Sequence, residues 1–146
     1  MRNRTVYVLF TVLLLCSSSV CNAEEYRIIS LAPNATEILF ALGLEDFIVA
    51  VDRYSNYPEE ARRLDKVGTF VNLDIEKIIF MKPNYLLVGA SIDHGKAGYL
   101  RAIGVEIIKV SPESVDGLCK DILMLGNIFK KVDQATGIVN DIKDRV

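Results

Sequence analysis

The chain has 146 residues, a net charge of −2, 51% hydrophobic residues and a single histidine. That balance fits one folded domain and excludes a disordered, collagen-like or strongly basic nucleic-acid-binding chain.

Residues 1–23 stand apart from the rest. Arg2 and Arg4 precede the apolar run VYVLFTVLLLC, and the small polar stretch SSSVCNA ends at Ala23. A basic start, an apolar run shorter than the ~20 residues of a spanning helix and a small terminal residue predict a secretory signal peptide cleaved after Ala23. Lipid attachment is less well supported, because Cys16 follows Leu15 and Cys21 follows Val20 where a small residue is needed. Cleavage removes two cations and no acid, which leaves residues 24–146 at about −4 with nothing to draw nucleic acid. Only Cys119 remains, so an internal disulfide is excluded, and its apolar helical setting makes it a small core residue.

From Arg27 onward, short β-like runs alternate with helical ones. RIISLA (27–32) predicts a strand, and TEILFALG (36–43) predicts a helix with Ile38, Leu39, Ala41 and Leu42 on one side. Asn34 and Glu37 have the spacing of cap partners, and Gly43 is the stop. FIVAVD (47–52) is a second strand, YPEEARRL (57–64) a short helix with Pro58 in its first turn, and KVG (66–68) a very short strand. Asp74 caps IEKIIFMK, where Ile75, Ile78 and Ile79 form a buried stripe. YLLVGA (85–90) is an apolar strand of the kind covered on both faces. AGYLRAIG (97–104) is a helix, VEIIKV (105–110) a strand and SVDGLCKDILMLGNIF (114–129) a helix again. VDQATGIVNDIKDRV (132–146) begins one more, whose Val132, Ile138, Val139 and Ile142 have little to pack against.

This alternation predicts an α/β fold: a single three-layer lobe with a mainly parallel sheet, flanking helices and the start of a long C-terminal helix. Short connections place the strand C-terminal ends along one edge, where open parallel sheets bind ligands. APNATE (32–37) sits where that edge meets a helix N-terminus, so its N–H groups and hydroxyl are expected to face the ligand.

Catalytic patterns are absent. His94, in the polar stretch SIDHGKAG after the fourth strand, has only Asp93 beside it, which is not metal-ligand spacing. GKAG lacks the phosphate-loop lead, and Ser30, Ser55 and Ser91 have no histidine at catalytic spacing. PNAT is a chance glycosylation sequon at a helix start.

Five motifs in order carry a family resemblance: RIISLAPNATEILFALG, YSNYPEEA, KVG, NLDIEKIIFMKPNYLLVG and LRAIGVEIIKV. Over about Tyr26 to Val146 the chain resembles the N-terminal lobe of the helical-backbone (class III) periplasmic binding proteins of cobalamin, ferric-siderophore and haem importers. The resemblance implies a binding protein rather than an enzyme, with no cofactor of its own, delivering a metal chelate held between two lobes to an ABC importer permease. RYSNYP is similar to S-Y-S-D-Y-P of cobalamin-binding members, which puts Tyr54 against the ligand, and Phe70 falls at an aromatic ligand-facing position. Gly89 stands where those members have a second aromatic residue, and Glu76 matches the acid that docks on importer arginines. With Pro33, Asn34 and Ser91 on the strand-end edge, Tyr54 and Phe70 complete the expected ligand-binding set. His94 joins it only as an axial ligand to haem.

Members of that class continue through the long helix into a second lobe, whereas this sequence stops within the helix. Three readings stay open: a truncated or split product, a single lobe that pairs with a second lobe or a second copy, or a docking or signalling module. A flavodoxin-like redox domain would need a phosphate loop after the first strand, and LAPNATE, with a proline and no glycine, argues against it.

Overall fold

The computed structural model describes residues 26–69 and 71–146. The predicted signal peptide and Phe70 lie outside the described residues.

Four short strands form the sheet: β1 (Ile28–Leu31), β2 (Ile48–Val51), β3 (Tyr85–Val88) and β4 (Glu106–Lys109). They are all parallel in the order β2-β1-β3-β4, with Ile28 beside Ile48 on one side and Tyr85 on the other. β1 is buried along its whole length, as expected for a central strand covered on both faces.

Period-two alternation divides the strands between two cores. Ile28, Leu87 and Ile108 face helices α1 (Pro33–Ala41), α4 (Val115–Ile128) and α5 (Val132–Asp144), through Leu39, Ile122, Leu125 and Val139. Ile29, Leu31, Leu86 and Val88 face α2 (Ile75–Phe80) and α3 (His94–Ala102), through Ile78 and Leu100. The result is the predicted three-layer α/β lobe. Cys119 is buried and unpaired in the first core.

At the strand N-terminal ends, Tyr26, Tyr85 and Phe129 pack edge to face, with Phe129 5.2 Å from Tyr26 and 5.0 Å from Tyr85. α4 and α5 meet closely, since a Cβ on Gly126 would lie 2.4 Å from that of Ala135.

Several local expectations are corrected. The N-cap of α1 is Ala32, not Asn34, and no side chain caps it, because Pro33 enters at the first helical turn and needs no N–H partner there. Gly43 does end α1, at φ +67, with Leu44 N–H reaching the Leu39 carbonyl. Residues 59–63 form a 3-10 turn rather than an α-helix, and the Ala61 carbonyl is taken by the Lys66 ammonium. KVG forms no strand, only single bridges from Val51 to Lys66 and from Gly68 to Leu73, since the chain reverses at Gly68 (φ +95). In α2 only Ile78 is fully buried, while Ile75 and Ile79 are half-buried. α5 does not lack cover: Val139 is buried and Ile138 and Ile142 rest on the first core, leaving Val132 exposed.

Candidate functional site

The C-terminal ends of β1, β3 and β4 and the turn after β2 enclose an open concavity of ≈ 330 Å³. Pro33, Asn34 and Tyr54, all expected from the sequence, line it together with Asp52, Gly89 and Ser111. Its floor is low because Gly89 has no side chain: a Cβ there would stand 3.0 Å from Ala32 Cβ. Asn34 closes one wall by donating from Nδ2 to the Val110 carbonyl (3.4 Å), while its Oδ1 accepts from Ala35 N–H (2.9 Å). Tyr54 stands at the mouth, 62% exposed.

Tyr54 is held there by polar groups beneath it. The Asp52 carboxylate, 2% exposed, accepts from both the N–H (2.9 Å) and the hydroxyl of Ser55, which pins the turn 52–55 from inside. The Ser55 hydroxyl meets that of Thr36 at 2.8 Å, and Thr36 meets Ser30 at 2.9 Å. Three fully buried hydroxyls therefore tie α1 and β1 to the Tyr54 turn, and no buried side-chain polar atom among the described residues lacks a partner. The Thr36 hydroxyl thus points into the lobe, contrary to the expectation that it faces the ligand. Lys66 braces the same turn from below through the Ser55 carbonyl (2.7 Å). Burial lowers its pKa from the ordinary 10.5, with the Asp52 charge opposing that shift.

Sequence reasoning missed this network. Asp52 and Ser55 flank the recognised Tyr54 in DRYS, and that adjacency was the available signal.

Beside Tyr54, Arg53 N–H donates to the Gly68 carbonyl (2.8 Å), which fastens the 68–73 loop to the same turn. Gly68 is obligatory there, since a Cβ would fall 2.2 Å from the Asn72 carbonyl oxygen.

Ser91 and His94 do not join the concavity. They line a neighbouring groove of ≈ 230 Å³ between α3 and β4, which shares Ala90 with the first. His94 is the first residue of α3 rather than part of a loop, because Asp93 Oδ1 accepts from Gly95 and Lys96 N–H at 3.0 and 3.1 Å. Among the described residues no group of three His, Cys, Asp or Glu side chains could hold a metal. Glu76 lies apart, exposed in the first turn of α2, with Asp74 capping that helix as expected.

A parallel α/β lobe with an open site at its strand ends has the architecture of an α/β ligand-binding lobe. The family described as periplasmic binding protein matches residues 28–146, and the chain belongs to it. The vitamin B12-binding protein of Vibrio vulnificus (strain YJ016) is 48% identical over 79 residues, covering 54% of this chain and 29% of that protein. The vitamin B12-binding protein of Yersinia pestis (strain Pestoides F) is 31% identical over 121 residues, covering 82% and 43%. Among solved structures, the periplasmic vitamin B12 binding protein of Vibrio cholerae superposes with a TM-score of 0.72 at 34% identity, over 82% of this chain and 47% of that one. The periplasmic heme binding protein of the same organism gives 0.75 at 25% identity, again over 82% and 47%. The chain thus spans less than half the length of these relatives.

Proposed function

We propose that this lobe supplies one wall of the binding site of a periplasmic substrate-binding protein, whose cargo is a metal chelate of the cobalamin or haem kind passed to an ABC importer. The observation that carries the reading is Tyr54, an exposed aromatic residue on a turn fixed by buried hydrogen bonds at the mouth of a strand-end concavity. A macrocycle whose metal is already coordinated asks for flat apolar contact and a few polar groups. Tyr54 offers the first, and Asn34 and Ser111 offer the second. The work is binding, with no bond made or broken.

A drug-sized ligand is usually 70–90% enclosed, in a pocket of about 300–1,000 Å³. The concavity here is at the low end of that range and open to one side, so the opposite wall comes from a second lobe or a second copy. Glu76 faces the importer in this scheme. Phe80, one helical turn on and 84% exposed, stands on the same side of α2, so the complementary surface carries a cation next to an apolar socket.

Absorbance titration with cyanocobalamin and with haemin tests the proposal. One of the two should bind, and Tyr54→Ala should weaken it about tenfold, the worth of a stacked aromatic contact. Binding of neither, or a Tyr54→Ala chain that binds as well as the unaltered one, refutes it.

A further inference from the structure

The groove beside the site has a composition of its own. Val88, Ala97 and Ile107 give it an apolar floor, and the side chains around it that can carry charge are all basic: His94 and Arg101 on α3 and Lys109 on β4. Both elements direct a stripe into it. His94, Ala97 and Arg101 follow helical spacing, and Ile107 and Lys109 follow strand spacing. No acid lines the groove; nearby Asp93 turns its Oδ1 back to cap α3, and Glu106 lies on the other face of β4 from Lys109. Among the described residues, Arg101, Lys109 and His94 have no ion pair and no side-chain hydrogen bond. The like charges of Arg101 and Lys109 on one hollow repel each other, and an anion there relieves that repulsion while the floor accepts apolar atoms.

We infer that this groove is an anion-holding subsite that receives a negatively charged arm of the chelate seated on Tyr54. The inference rests on the function proposed above and narrows it to macrocycles that carry a tethered carboxylate or phosphodiester. Two observations favour an arm over a whole ligand. The groove, at ≈ 230 Å³, falls below the usual pocket range of about 300–1,000 Å³. It also joins the Tyr54 concavity through Ala90, which lines both.

The test uses macrocycle pairs of which one member lacks the anion: haemin against its dimethyl ester, and cyanocobalamin against dicyanocobinamide. The latter lacks the phosphodiester together with the nucleotide it carries, so only the response to the double substitution is compared within a pair. Each is titrated against the unaltered chain and against Arg101→Gln/Lys109→Gln; both positions are exposed, so the melting temperature should hold. For the pair that binds, the double substitution should weaken the anionic member about five- to tenfold and leave the other unchanged. Equal effects on both members, or none, overturn the inference. Sodium benzoate, titrated alone, separates a free small anion from a tethered arm. If the double substitution weakens benzoate but neither anionic macrocycle, the arm assignment is wrong. Failure of the functional reading looks different, because no macrocycle would bind the unaltered chain. Benzoate then decides the groove by itself: weakening by the double substitution supports an anion site, and indifference overturns it.

Discussion

Thr36→Val tests how the Tyr54 turn is held. The replacement keeps the branched shape of the side chain and deletes one fully buried hydroxyl. That hydroxyl contacts Ser55 Oγ at 2.8 Å, Ser30 Oγ at 2.9 Å and the Ala32 carbonyl at 3.2 Å. Its neighbours are not stranded by the loss, because Ser30 still donates to the Ala32 carbonyl (3.1 Å) and Ser55 still donates to Asp52. With both serine protons committed elsewhere, the single Thr36 proton is shared among these contacts, so the cost is the net worth of about one neutral hydrogen bond, about 1 kcal/mol, rather than the larger penalty of orphaned groups. For a domain of this size that lowers the melting temperature by about 3–6 °C. Thr136→Val is the matched control, since its exposed hydroxyl only returns to the Val132 carbonyl of its own helix (2.8 Å), and it should stay within about 0.5 kcal/mol. Urea unfolding followed by circular dichroism measures both. If Thr36→Val costs no more than Thr136→Val, the buried hydroxyls do not secure the turn and the account of Tyr54 positioning fails.

Lys66 gives a pH signature. Its folded pKa lies below 10.5, so between the two values the unfolded chain holds the extra proton and folding gains as pH rises. Stability of the unaltered chain minus that of Lys66→Met should therefore climb as pH approaches 10.5 from below, and a flat or falling difference contradicts the burial argument. Glu76→Ala should leave the melting temperature nearly unchanged, since an exposed charge in a first turn contributes at most about 1 kcal/mol. Ligand uptake through a reconstituted importer should drop while ligand binding holds. Loss of several degrees of stability would make Glu76 a structural residue instead.

The strands were legible in the sequence because residues 28–31 and 85–88 are apolar on both faces, a pattern that needs no knowledge of partners. Helix starts were harder to place. Asn34 and Glu37 imitate a cap pair, but Pro33 opens the helix earlier, and Gly95 disguised the first turn of α3, which was expected only from Ala97 and which Asp93 caps. Within the site, Pro33, Asn34 and Tyr54 were within reach as strand-end and motif residues. The hydroxyl ties were not, because Thr36, bonded to Ser30, meets Ser55 only once β1 and β2 lie side by side. The apolar side of α5 was visible, but sequence alone could not say that α4 covers it.

The seam between α4 and α5 has a mechanical consequence. With Gly126 and Ala135 nearly touching, no yielding layer of side chains separates the two helices, so α5 cannot roll on α4 without a collision. α5, about 20 Å long from its 13 residues, then behaves as a crank clamped near one end. Next to that seam, Phe129 at the end of α4 is wedged between Tyr26 and Tyr85, and those two rings sit at the roots of β1 and β3. The distal turn of α5 is thereby linked through rigid packing to the two central strands, whose opposite ends frame the strand-end concavity.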